Sequence, residues 1–245
     1  MDQQTRQALK QDKFVATTTH GLEWASENRR SVIATGLILL GVIVFLVAGA
    51  VIYNTRSEVA SAAFGAAIQT YEAQLTQPGE PIPSGVKTYP SSAERAKAAN
   101  AMFQAIADKY SMTPAGKNAR YFAGLTEIDA GQNQQAEDTL KKVASGWDSN
   151  LAALAKLALA GLYHDTGRDT QAIDLYNQLS AKPSTAVPYG EARLQLADLY
   201  TAEGKTDEAK KIYADLEDKD KKGPAGAIAK EKLNPAPAGP RGLPQ

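Results

Sequence analysis

Residues 32–53, VIATGLILLGVIVFLVAGAVIY, constrain this chain more than any other stretch. They hold no charged side chain in 22 positions. At about 1.5 Å per helical residue they reach roughly 33 Å, enough for a hydrocarbon core of about 30 Å. Inside lipid a single segment must satisfy its backbone groups internally, so a helix is the expected conformation. Arg29 and Arg30 stand before the stretch, whereas only Arg56 follows closely and Glu58 comes next. The Lys/Arg excess on the N-terminal side predicts that residues 1–31 stay in the cytoplasm and the C-terminal mass lies outside. Trp24 and Tyr53 are placed to sit at the two headgroup levels.

A cleaved export signal is the competing reading. Ala48-Gly49-Ala50 has the small-x-small form of a cleavage site, and Arg29-Arg30 has the look of a twin-arginine signal. Against cleavage, the leader is 31 residues long and carries Asp2, Asp12, Glu23 and Glu27. The apolar run also exceeds the roughly 7–15 residues usual in a signal. In both readings most of the chain is exported.

Beyond residue 53 the chain carries 22 basic and 23 acidic residues, so no basic face for nucleic acid is indicated. Cysteine is absent, which excludes disulfides and thiolate metal sites. Residues 1–31 are polar, with a weak amphipathic pattern at Phe14, Val15, Leu22 and Trp24. After the apolar stretch, Phe64, Ile68, Tyr71 and Leu75 recur at helical spacing in residues 57–76. Pro78, Pro81, Pro83 and Pro90 then predict a surface loop over 77–92. Helical patterning resumes near Ser92 and runs to Lys222. Pro224 to Leu233 reads as a capping helix, and 234–245 (NPAPAGPRGLPQ) as a disordered tail.

The helical region repeats. Gly131, Gly167 and Gly204 are spaced by 36 and 37 residues; Ala136, Ala172 and Ala209 follow each by five. Leu140, Tyr176 and Tyr213 come four later, and Ala99 lies 37 before Ala136. Such a period predicts stacked helical hairpins. The residues Leu159-Ala160-x-x-Tyr163 and Leu196-Ala197-x-x-Tyr200 resemble the tetratricopeptide repeat, whose usual period is about 34. Glycine permits the left-handed turn, and small residues let paired helices approach. Units are expected at 117–150, 153–186 and 190–222, with 57–110 a divergent first unit whose turn is swollen into the proline loop. The fold class is therefore all-α: one transmembrane helix followed by an α-solenoid. The expected organisation is 1–31 cytoplasmic, 32–53 transmembrane, 54–233 exported repeat domain and 234–245 tail. In the 117–150 unit Gly124 keeps the small position, but Glu127 replaces the tyrosine and Leu140 the aromatic.

No catalytic constellation is present. His20 and His164 are far apart in the sequence, and Gly204-Lys205-Thr206 lacks the upstream glycine of a phosphate loop. The reading is a non-enzyme with no cofactor and no metal. The repeat resemblance implies a concave groove lined by first helices: Asn118, Tyr121, Leu125 and Ile128; Leu154, Leu157, Gly161 and His164; Glu191, Leu194, Asp198 and Thr201. Apolar side chains at Tyr121, Leu157 and Leu194 would suit an extended or helical peptide.

The layout of a short cytosolic arm, one membrane helix led by Trp24…Asn28-Arg29-Arg30, an Ala-rich helix and an exported repeat domain resembles the bacterial YfgM-type family. That resemblance covers about residues 10–233. It implies an inner-membrane, single-pass protein with a periplasmic domain, ancillary to the Sec translocon. It also implies a chaperone-like role toward exported polypeptides, beside a membrane-anchored chaperone or prolyl isomerase. A cell-envelope scaffold for division or wall-synthesis machinery is the alternative function, and a periplasmic enzyme subunit or released binding protein the third.

Overall fold

Helix α1 (Arg29–Tyr71) carries the apolar stretch and runs on into the Ala-rich segment after it. The computed structural model describes residues 28–76 and 87–235, so the N-terminal arm before Asn28, most of the proline loop and the end of the tail lie outside the described residues. The chain divides between Thr55 and Arg56 into two units. In the first, side chains from Ile33 to Ile52 are exposed all around the helix, Phe45 most of all. An all-round apolar surface with no protein cover is what a lipid-facing helix presents. Among the described residues, this is the one helix long and apolar enough to cross a membrane.

The second unit is an all-helical stack. Beyond α1 it contains α2 (Ser92–Lys109), α3 (Pro114–Asp129), α4 (Asn133–Ala144), α5 (Ser149–Asp165), α6 (Asp169–Ala181), α7 (Tyr189–Ala202), α8 (Thr206–Lys219) and α9 (Pro224–Leu233). From α2 onward each helix packs on the next, and the short connections make neighbours antiparallel. No β-strand occurs among the described residues; Leu75 and Tyr89 form an isolated parallel bridge. No sequence pattern announces that bridge. The Thr76 amide donates to the Tyr89 carbonyl at 2.8 Å and the Tyr89 amide to that of Gln74 at 3.1 Å. The two sides of the proline-rich segment are thereby tied together at its base.

The pairs α3/α4, α5/α6 and α7/α8 match the three expected units, and α9 falls on the expected capping helix. Each pair turns at a glycine: Gly131, Gly167 and Gly204 have φ of 74°, 74° and 75°. An L side chain costs energy in this left-handed region, so glycine fits. At Gly167 the turn is closed by the Arg168 amide donating to the Tyr163 carbonyl at 2.7 Å, and the other two turns repeat the bond. Inside the hairpins Ala136, Ala172 and Ala209 are buried, as are Leu140, Tyr176 and Tyr213. Gly124 is required by packing, because a Cβ there would come within 2.7 Å of Leu140.

The divergent first hairpin is formed by the last turns of α1 against α2. Phe64 of α1 stacks on Phe103 of α2 and Phe122 of α3 at centroid distances of 5.6 and 5.5 Å. Ala67, Ala99, Phe103, Ala119 and Ala123 form the core around these rings. A second, larger core runs from Leu140 to Ala229 through the remaining hairpins. Two hairpin-to-hairpin connections share a local device. Pro114-Ala115-Gly116 and Pro224-Ala225-Gly226 both open helices in which the glycine lies against a preceding backbone carbonyl, that of Tyr110 or of Asp220. In the first, the Thr113 hydroxyl accepts from the Gly116 amide at 3.1 Å. In the second, the Asp220 carboxylate accepts from the amides of Ala225 and Gly226.

Candidate functional site

The first helices α3, α5 and α7 carry all twelve residues expected in the groove. Tyr121, Ile128, Leu154 and Leu157 are half-buried and pack against the larger core, leaving one edge of each side chain accessible. Burial pushes the Tyr121 phenol pKa up. Gly161 has open space where a side chain would stand. Asn118 and Leu125 are also half-buried on α3.

Three of the expected residues meet in one cleft. Leu157, Glu191 and Leu194 line a cavity of about 720 Å³, closed by Tyr189 of α7 and by Lys219, Ala225 and Ile228 from the end of the stack. Leu194 departs from the expectation of a groove side chain. It is only 8% exposed and belongs to the core, so it reaches the cleft by an edge while most of its surface holds hairpins together. Ile228 supplies what Leu194 does not. It sits on the capping helix with 43% of its surface exposed, unusually open for a large aliphatic side chain.

Sequence reasoning missed Ile228, because the pattern of α9 reads as a cap and not as a wall. The signal was present: an isoleucine among small and charged residues of Pro224–Leu233, where a purely capping face would be polar.

The cleft has a polar rim. The Tyr189 hydroxyl donates to Asp215 at 2.8 Å, and the Lys219 ammonium bonds the same carboxylate at 2.9 Å. These bonds, the lysine's first, hold the Asp215 pKa below the usual carboxylate range. Glu191 accepts from Gln195 at 3.1 Å on its own helix and leaves the rest of its carboxylate available.

Other expected residues are already engaged within the fold. His164 Nδ1 lies 2.6 Å from Asp169, two residues past the Gly167 turn. Asp198 accepts from Tyr213 at 2.8 Å and from Lys232 at 3.2 Å, tying α7 to α8 and α9. The Thr201 hydroxyl donates to the Ala197 carbonyl of its own helix. His164 and Asp198 thus brace neighbouring helices, whereas the Thr201 bond stays within α7. A charged cluster centred on the buried Glu137 lies apart from the residues that line the cleft: Glu137 accepts from Lys141 at 2.6 Å, Arg168 at 2.7 Å and the Tyr163 hydroxyl at 3.2 Å. It joins α4 to α5 and to the turn before α6. Among the described residues no group of three or more His, Cys, Asp or Glu side chains is placed to hold a metal.

A stack of hairpins turning on left-handed glycines, with small residues between paired helices, is the architecture of tetratricopeptide-type repeats. Residues 23–236 match the tetratricopeptide repeat-like domain family, and the chain belongs to that family. No curated protein matches the sequence. Among solved structures it is similar to a crystal structure of nearly identical TPR-like repeats, described as those of a kinesin light chain from Podosopora anserina. That likeness has 15% identity and a TM-score of 0.52, over 73% of this chain and 84% of the other. At that identity the likeness speaks for the fold alone. Repeats of this family are protein-interaction scaffolds, and binding other proteins is the activity the fold supports.

Proposed function

We propose that this chain is a single-pass, membrane-anchored repeat protein whose exported domain binds proteins at the Sec translocon and gives chaperone-like help to exported polypeptides. The N-terminal arm is cytoplasmic in this reading and the repeat domain periplasmic, with a membrane-anchored chaperone or prolyl isomerase as partner. The observation that carries it is the cleft of about 720 Å³ in which Leu157, Tyr189 and Ile228 offer apolar surface beside Glu191 and Lys219. Apolar anchors with charged edges suit short segments of unfolded or extended chain. A membrane tether supports the reading further, since it raises the local concentration of a groove whose intrinsic affinity is weak.

Mild-detergent purification of the tagged full-length protein, with mass spectrometry of what accompanies it, tests the assignment. Translocon subunits or a membrane-anchored folding factor are the expected companions. Division or wall-synthesis proteins in their place would move the function to an envelope scaffold. Groove variants are built at Leu157 and Ile228. Leu194 is too deeply packed to report on binding, because a charge there would unfold the hairpin first. Leu157→Asp together with Ile228→Asp is expected to reduce recovery of the companions about tenfold or more while helicity is retained. Unchanged recovery would remove the cleft from the function.

A further inference from the structure

The two ends of the helix stack differ in charge. The hairpin turns gather at one end with Asp129, Asp165, Asp169, Glu203, Asp207 and Glu208, against Arg168 and Lys205. The connections between hairpins, residues 110–113, 145–148, 182–188 and 220–223, gather at the other. That end carries both signs with lysine in excess: Lys109, Lys117, Lys142, Lys182, Lys221 and Lys222 stand beside the connections against Asp108, Asp148, Asp218 and Asp220. Lysine in the last turn of a helix is explained by the helix dipole. Lys117 is not, because it occupies the first turn of α3, where the dipole disfavours a cation.

The same end exposes large apolar side chains that the fold does not use. Among the described residues Trp147, in the connection between α4 and α5, is fully exposed, and Met112, in the connection before α3, is 80% exposed. Just past Trp147 a cleft of about 1000 Å³ opens between Ser149, Asn150, Lys156, Gln178 and Lys182, and no carboxylate lines it. Lys156 bonds the Gln178 amide oxygen at 3.4 Å. Arg56 reaches this end as well: its guanidinium donates to the Lys109 carbonyl at 3.1 Å and lies 6.0 Å from the Tyr110 ring centre. Arg56 is three residues past the apolar stretch that ends at Tyr53. Arg56, the first residue of the second unit, therefore lies at the end that carries the exposed indole and the lysines.

We propose that this end rests on an anionic phospholipid surface, with Trp147 and Met112 entering the headgroup layer and the Lys156–Lys182 cleft receiving a headgroup phosphate. Indoles favour the interface because one face is apolar and the N–H is polar. Lysines at such a surface are drawn to an anionic leaflet. The inference rests on the membrane-anchored reading but not on the identity of any protein partner.

The test uses the full-length chain with Trp24→Phe, which leaves Trp147 as the one tryptophan. The protein is reconstituted into vesicles of phosphatidylcholine alone or with phosphatidylglycerol, some with acyl chains brominated near the headgroup. Flotation with both kinds of vesicle reads the anchor; Trp147 emission reads docking. With phosphatidylglycerol the emission is expected to shift to the blue and to be quenched by the brominated lipid. Lys117→Glu with Lys156→Glu and Lys182→Glu, or high salt, should reduce the quenching several-fold while helicity by circular dichroism is unchanged. An emission that stays that of a water-exposed indole in both vesicles overturns the proposal. So does equal quenching in pure phosphatidylcholine that ignores the lysine reversals. A blue shift in detergent that grows with protein concentration would assign the surface to a second copy of the chain instead.

Discussion

At the residue level the most informative positions are two in the 117–150 unit, Gly124 and Glu137. Gly124 exists for Leu140: a methyl group at 124 would press on Cγ and Cδ2 of that leucine at 2.7 Å. Gly124→Ala alone should destabilise by about 1–3 kcal/mol from overpacking, and Leu140→Ala alone by about 2–5 kcal/mol from a cavity. The double variant should lose less than the sum, because the added methyl occupies part of the space left; urea unfolding of all four proteins checks the coupling. Glu137 is a buried carboxylate whose pKa its bonds to Lys141, then Arg168, pull down to about 2 from 4.5. A depressed folded pKa means that this contribution is full above about pH 4.5 and is lost as pH falls toward 2. Glu137→Gln should cost about 1–3 kcal/mol at neutral pH. The variant and the parent should converge in urea midpoint as pH approaches 2; a gap that stays constant with pH would mean that the charge plays no part. Neither role was legible from sequence. Gly124 could be placed in the small position but its partner could not, and Glu137 has no pattern that marks it as the centre of a cluster drawn from three elements.

At the level of elements, the sequence was legible wherever a local rule coincided with the repeat period. The glycines at 131, 167 and 204 announce both hairpin turns and the conformation they require, and their φ values of 74°, 74° and 75° agree with that reasoning. No neighbouring atom lies within 4 Å of a Cβ built on any of the three, so substitution is opposed by the backbone alone. Gly167→Ala is therefore expected to cost about 1–2 kcal/mol, and Gly167→Asn less, since asparagine tolerates the left-handed region. Equal losses for both, measured by thermal unfolding, would point to a steric conflict and not to φ. The bridge between Leu75 and Tyr89 was illegible because a proline-rich stretch reveals where a helix stops but not what its flanks pair with. The groove was legible as a set of first-helix positions. Its depth was not: whether Leu194 lines a surface or fills a core depends on Ala225 and the capping helix, which lies some thirty residues further on.

At the level of the whole molecule, each hairpin leaves an apolar face that only the next can cover, so the last cover decides how the array ends. In this chain α9 does that work. Ala225 and Ala229 are buried in the larger core, the Asp220 carboxylate fixes the start of the helix, and Lys232 bonds Asp198 of α7. It is also one wall of the cleft, through Ile228. Stability and binding are thereby joined in one ten-residue helix, and the two roles can be separated by experiment. Truncation after Lys222 should uncover the side of α7 and α8 around Leu194 and Leu216, lower the thermal midpoint by several degrees and promote self-association, because the newly exposed face is apolar. Ile228→Ser should lower the midpoint by clearly less than truncation does, since 43% of the isoleucine's surface is already exposed, yet weaken companion binding as Leu157→Asp does. If Ile228→Ser lowers the midpoint as much as truncation, the isoleucine belongs to the cap and the cleft loses its open wall. If truncation leaves the midpoint and the sedimentation behaviour unchanged, α9 is no cap, and the side chains of α7 and α8 must be covered by neighbours other than this helix.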